Sequence, residues 1–206
     1  MIYIARHGES DWNREGRYQG QRESHLTEVG IAQARALADA LADSEITRII
    51  ASPLARCVDT ARPLTERLGL SLEQDRDLIE IAHGAWEGRL RADIVREDPE
   101  ALRTWREHPE RARFEGGETL ADVERRWLAF VARLGRADNV AIVTHDVLVR
   151  VAILTAMHRP LARLWEPRVL NGGYAAFRGG GSWELLEECA DEHLRGLAVD
   201  TATQAL

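Results

Sequence analysis

The sequence predicts an α/β fold: a three-layer αβα sandwich around a mostly parallel central sheet with an antiparallel edge strand. Three observations carry this. Short apolar runs at 2–5, 48–51 and 140–143 alternate with longer segments whose apolar residues recur at helical spacing. Val140-Ala141-Ile142-Val143 is continuously apolar, as expected of a parallel strand covered on both faces. Near the end, 174–177 and 183–186 flank Arg178-Gly179-Gly180-Gly181-Ser182, a hairpin pattern that implies an antiparallel edge.

Taken in order, residues 2–5 form the first strand. Thr27 is placed to N-cap a helix with the apolar face Ile31, Ala34, Leu37, Ala38 and Leu41. Arg48-Ile49-Ile50-Ala51 is a second strand. Ser52 as N-cap and Pro53 at the first helical position then open a helix carrying Leu54, Val58, Ala61, Leu64 and Leu68. Leu120, Val123, Trp127, Phe130, Val131 and Leu134 describe a long amphipathic helix. After 140–143, Asp146 is placed to cap a helix bearing Val147, Leu148, Val151 and Leu154.

Residues 88–117 break this rhythm. They are rich in arginine and acid, hold Pro99 and Pro109, and are expected to form short helices over the sheet. Two readings stand side by side: a solvated excursion, or a lid in which Arg89, Arg91, Arg111 or Arg113 meets an anionic group.

With 206 residues, 45% hydrophobic and 30% charged, the chain suits one domain spanning 1–206. A net charge of -7 argues against a nucleic-acid or anionic-membrane partner. No apolar run approaches the roughly 20 residues of a membrane span. Arg6 and Glu9 interrupt the first apolar segment too soon for a signal peptide. Cys57 and Cys189 sit in no CxxC pair and read as reduced thiols, which suits a cytoplasmic protein. A homodimer through the sheet edge stays open.

The chemistry gathers where strands end. Arg6-His7 follows the first strand, Arg56 lies in the first turn after the second, and His145 follows the run at Val143. In open α/β sheets ligands bind beyond the carboxyl ends of strands. Two arginines and two histidines converging there repel one another unless an anion compensates, and a phosphoryl group is the obvious candidate.

These residues carry a family resemblance. Arg6-His7-Gly8-Glu9-Ser10 with Trp12-Asn13, then Gly20 and Leu26-Thr27-Glu28, resembles the opening of the histidine phosphatase superfamily, the phosphoglycerate-mutase-like fold. The likeness continues in the same order through Ser52-Pro53-Leu54-Ala55-Arg56, Leu78-Ile79-Glu80-Ile81 with Gly84-Ala85-Trp86-Glu87-Gly88, Gly116-Gly117-Glu118-Thr119-Leu120 and Val143-Thr144-His145. It implies that His7 is the nucleophile and forms a phosphohistidine. It further implies that Arg6, Arg56 and His145 hold the phosphoryl oxygens, that Asn13, Gln19 and Gly20 complete the pocket, and that Glu80 is the general acid. No cofactor and no metal are expected, and no HxH or HxxxH spacing supports a metal-dependent hydrolase. His25, His108, His158 and His193 are left with structural roles.

Two departures matter. Asp146 stands where the common branch has glycine, as in the His-Asp pair of the acid-phosphatase and phytase branch, so two acids compete. Glu80 is favoured as donor, with Asp146 as helix cap or partner of a substrate hydroxyl. The resembling mutases carry tyrosine three positions after the acid, where this chain has His83. They carry asparagine two positions after the second histidine, where Val147 stands, and a paired-arginine segment with no convincing match here. These losses point to hydrolysis of a small phosphorylated metabolite, with His83, Asp146 and residues 165–173 shaping the pocket. A phosphoglycerate-mutase-type phosphotransferase is the alternative. A non-catalytic module that binds phosphorylated ligands is a third reading, though a binder would need neither nucleophile nor acid.

Overall fold

The computed structural model describes residues 1–135, 139–179, 183–197, 199 and 204–205. Its strands are β1 (Ile2–Arg6), β2 (Arg48–Ala51), β3 (Leu72–Gln74), β4 (Val140–Thr144), β5 (Tyr174–Arg178) and β6 (Glu184–Ala190). They form one sheet in the order β3-β2-β4-β1-β5-β6. β1, β2, β3 and β4 run parallel, and β5 runs antiparallel to both β1 and β6. The antiparallel edge is therefore a two-strand hairpin, and residues 180–182 of its expected turn lie outside the described residues. The short strand β3, Leu72-Glu73-Gln74, has too little apolar character to be read from sequence.

The helices are α1 (Asp11–Glu15), α2 (Glu28–Ala40), α3 (Ala55–Leu68), α4 (Arg91–Glu97), α5 (Pro99–Glu107), α6 (Leu120–Leu134) and α7 (Asp146–Ala156). Side-chain alternation along the strands sorts the core into two layers. Ile2, Ile4, Ile50, Val140 and Ile142 pack with Val123, Trp127 and Phe130 of α6 and with Val147, Leu148 and Val151 of α7. Ala5, Ile49, Ala51, Ala141 and Val143 pack with Leu37 and Ala38 of α2 and with Cys57, Ala61 and Leu64 of α3. This is the three-layer sandwich, and it explains the continuous apolar run of β4, which is buried on both faces.

Of the three helix caps expected from sequence, Thr27 alone is one, and Thr119 adds a cap that was not expected. The Thr27 hydroxyl accepts from the Gly30 N–H, and Thr119 forms a capping box with Asp122. Ser52 is not a helix N-cap. The α3 helix starts at Ala55 with Leu54 at its cap, because the Ser52 hydroxyl lies against His145. Asp146 is not a cap either. It is the first residue of α7, and its carboxylate is taken by two arginines rather than by backbone N–H groups. One expected core residue is out of place as well: Ile31 is 42% exposed on the outer side of α2.

The excursion at 88–117 does form short helices, α4 and α5, which bury Ile94 and Trp105. Among the described residues no helix is long and apolar enough to cross a membrane. The arrangement that matters for function is at β1 and β4. The next long helices after these parallel neighbours, α2 and α7, lie on opposite faces, so a crevice opens beyond the strands' carboxyl ends.

Candidate active site

Three strand ends deliver the polar side chains. Arg6 is the last residue of β1, Ser52 follows β2, and His145 follows β4. Arg6, His7, Arg56, Glu80, His83, His145 and Asp146 are all buried, an unusual density of ionisable groups. One small cavity brings Arg6, His7, Asn13, Arg56, Glu80 and Asp146 together, with Gln19, Gly20 and His83 also on its wall. A more spacious groove of about 810 Å³ between α2 and α3 contains none of them.

The two arginines are held by part of their hydrogen-bonding capacity and leave the rest free. Arg56 donates to the carbonyls of Arg22, at 2.9 Å, and Gly20, at 2.8 Å, while its Nε is buried without a partner among the described residues. Arg6 Nη1 lies 3.2 Å from an Asp146 oxygen, an ion pair without hydrogen-bond alignment. Its Nε is likewise unpartnered. Buried guanidinium N–H groups without acceptors are costly unless an anion completes them.

His7 sits beside these cations with its chemistry set by one contact. Its Nδ1 is 2.7 Å from the Gly8 carbonyl oxygen. A carbonyl only accepts, so Nδ1 carries the proton and Nε2 keeps its lone pair. Burial first, then Arg56 and Arg6, hold the imidazole well below the ordinary histidine range, so it is neutral at physiological pH. Burial first, then Arg56 and His7, lower the His145 imidazole as well. Its Nε2 lies 2.8 Å from the Ser52 hydroxyl, and its ring meets that of His7 edge-on at 5.3 Å.

Gly8 is required by close packing of the backbone. Its N–H donates to the Thr60 hydroxyl, and a Cβ on it would meet the Gly30 carbonyl oxygen at 2.5 Å. The glycine is there so that the loop after β1 lies directly on the first turn of α2. Gly20 does need its freedom, with φ at +53° and the Glu87 carboxylate where a Cβ would stand.

Glu80 and Asp146 are close enough to oppose each other, and their environments push them apart. Burial first, then the charge of Asp146, raises the Glu80 carboxyl to about 7. The N–H groups of Ile81, at 2.8 Å, and Val147, at 3.4 Å, hold its two oxygens in place. Burial alone would also raise Asp146, but Arg150 and Arg6 outweigh it and keep the carboxyl below the usual range. Arg150 Nε is 2.7 Å from Asp146, one helical turn away, and its Nη1 also donates to the Pro167 carbonyl. Near neutrality Glu80 is thus partly protonated and Asp146 ionised.

The other expected residues are placed as follows. Asn13 accepts from the Ser10 and Asn171 side chains. Gln19 accepts from the Ser10 and Ser24 hydroxyls. His83 packs edge-on among Tyr18, Trp105 and Phe114, and both its nitrogens lack hydrogen-bond partners among the described residues. Burial, with Arg106 adding to it, lowers its imidazole to about 3. Of the excursion arginines, Arg89 pairs with Glu97 and Arg111 with Glu110, while Arg113 donates to backbone carbonyls. Arg91 keeps a buried Nε with no partner among the described residues and, with Arg106, flanks the Tyr18 hydroxyl next to His83. Tyr18, Arg106, Arg150, Asn171 and Gln204 were not singled out from sequence. Arg150 had a readable signal, its i,i+4 spacing from Asp146. Gln204 had none.

Among the described residues no group of three or more His, Cys, Asp and Glu side chains could hold a metal ion. Cys57, against His145, has its thiol raised by burial.

Comparison with known proteins agrees with this geometry. Residues 2–190 match the model of the histidine phosphatase superfamily, branch 1. Phosphoserine phosphatase 1 of Hydrogenobacter thermophilus is 34% identical over 177 residues, covering 84% of each chain. Glucosyl-3-phosphoglycerate phosphatase of Mycobacterium tuberculosis is 36% identical over 196 residues, covering 90% of this chain and 84% of its own. The solved structure of Bacillus stearothermophilus YhfR superposes with a TM-score of 0.88 at 31% identity, covering 94% of this chain and 98% of that one. A match across almost the whole sheet and its helices, together with these relatives, shows that the chain belongs to the histidine phosphatase superfamily, branch 1.

Proposed function

We propose that the protein is a phosphatase that hydrolyses a small phosphorylated metabolite in two steps, with His7 as the covalent acceptor and no need for a metal. The observation that carries this is the set of N–H groups on two buried arginines that have no partner among the described residues, around a neutral histidine. In the first step His7 Nε2 attacks phosphorus as Glu80 gives its proton to the departing alkoxide. In the second, Glu80, now ionised, takes a proton from water as that water attacks the phosphohistidine. Arg6, Arg56 and His145 hold the equatorial oxygens through both displacements, so the protein contributes mainly positioning and charge.

In this reading the leaving group faces His83, which lines the cavity and packs on Tyr18, with Arg91 and Arg106 beside that tyrosine. Phosphoserine and phosphoglycerate, in the names of the two relatives, are esters that also carry a carboxylate. Arg91 and Arg106 are the cations here that would meet such a group. A phosphate-release screen across phosphorylated amino acids, sugar phosphates, phosphoglycerates and nucleotides tests the reading, with His7→Ala as the blank. Release that survives in the blank, or efficient interconversion of phosphoglycerate isomers with little free phosphate, overturns it.

Asp146 is assigned to holding Arg6 and Arg150, not to proton donation. Asp146→Asn is expected to cost about 3 kcal/mol of stability by leaving two buried cations half-paired. Among protein that remains folded, turnover of an alkyl phosphate should fall no more than about tenfold, well short of a general acid's contribution. Removing the Asp146 charge also lowers the Glu80 carboxyl, so the alkaline fall in kcat/KM moves to lower pH. If Asp146→Asn abolishes turnover while Glu80→Gln does not, the two acids have been assigned the wrong way round.

A further inference from the structure

Gln204 lies far from the motifs in sequence and is buried in the middle of them, 2% exposed. Its side-chain oxygen accepts from Arg6 Nη2 at 2.5 Å and from Asn13 Nδ2 at 3.2 Å. Its Nε2 donates to Asn171 Oδ1 at 2.8 Å, and Asn171 donates in turn to the His7 carbonyl at 3.1 Å. Ala205 is 4% exposed, joins the apolar layer of α6 and α7, and forms part of the catalytic cavity wall. With this segment in place the cavity is about 20 Å³, room for about one water and not for a phosphoryl group.

Resting on the reading of this pocket as the phosphoryl site, we propose that residues 204–205 are its intramolecular occupant and that the Gln204 amide oxygen stands in for a phosphoryl oxygen. The chain is anchored close by to deliver it. His193 Nε2 donates to the Gly172 carbonyl, and the Leu197 carbonyl accepts from Gln33 of α2. Gly172 itself donates to the Arg6 carbonyl. An amide carbonyl is a neutral acceptor and a phosphate dianion a charged one, so the guanidinium of Arg6 binds the dianion more strongly. The occupant is therefore displaceable and lowers apparent affinity in proportion to the time the pocket is filled. It sets a threshold: ligands that offer a full phosphoryl charge to Arg6 and Asn13 enter, and neutral ligands do not.

The test measures the dissociation constant of inorganic phosphate, and its constant as a competitive inhibitor, for the intact chain and two variants. Gln204→Ala removes the competing oxygen, and phosphate should bind about tenfold more tightly, the worth of one hydrogen bond to a charged group. Gln204→Glu supplies a charged competitor and should bind phosphate more weakly than the unaltered chain. Unchanged or weaker binding in Gln204→Ala overturns the proposal and leaves the phosphoryl pocket standing. Failure of all three proteins to bind phosphate overturns the pocket and the proposal together. Hydrogen exchange at the amides of 204 and 205 gives a second readout. Saturating orthovanadate should speed their exchange as the segment leaves, and added protection would contradict displacement.

Discussion

Replacing His7 with alanine is expected to lower phosphate release by about 10⁴-fold or more, the scale of losing a covalent nucleophile. The effect should lie in kcat, with phosphate binding largely kept, because on the proposed reading Arg6, Arg56 and Asn13 would hold the anion without the imidazole. Circular dichroism and a phosphate titration of the variant separate this outcome from misfolding. A loss of only tenfold would mean that water attacks phosphorus directly and that His7 merely binds.

The second large effect concerns Glu80 and depends on the leaving group. With an alkyl phosphate, Glu80→Gln should reduce kcat/KM by about 10³-fold, because the alkoxide must be protonated as it departs. With an aryl phosphate whose phenol leaves unaided, the first step should be nearly unaffected. The phosphoenzyme should then accumulate, because its hydrolysis still needs a base. The pH dependence has a defined sign. Glu80 must be protonated for the first step and its carboxyl is raised to about 7, so kcat/KM should fall as pH rises through about 7. That limb should be absent in Glu80→Gln. His7 needs to be neutral and is held well below the ordinary range, so it adds no acid limb near neutrality.

Much of this site was legible in the sequence because its parts lie at strand ends, where a short apolar run followed by polar residues is a local signal. Arg6-His7 after β1 and His145 after β4 are of that kind. Glu80 lies on a non-helical, non-strand stretch and was legible only through the ordered motifs around it. What was not legible depends on distance in the chain. The Glu80 carboxyl is raised by burial first and then by Asp146, 66 positions away, and Asp146 is in turn held by Arg6. Local patterns gave the wrong role to Ser52 and Asp146 as caps, because the competing partners, His145 and two arginines, arrive through tertiary structure. Ile31 fits a helical stripe yet faces outward, and β3 is too short and polar to show a period. Gln204 is the extreme case, a side chain whose partners are all more than thirty residues away.

The central claim is that phosphorus is attacked first by His7 and then by water. Each in-line displacement inverts the configuration at phosphorus, so two of them restore it. The direct measurement is the stereochemical course of hydrolysis, using a substrate whose phosphorus is made chiral by sulfur and oxygen isotopes. Retention of configuration is the predicted result; inversion would show a single displacement by water and contradict the account.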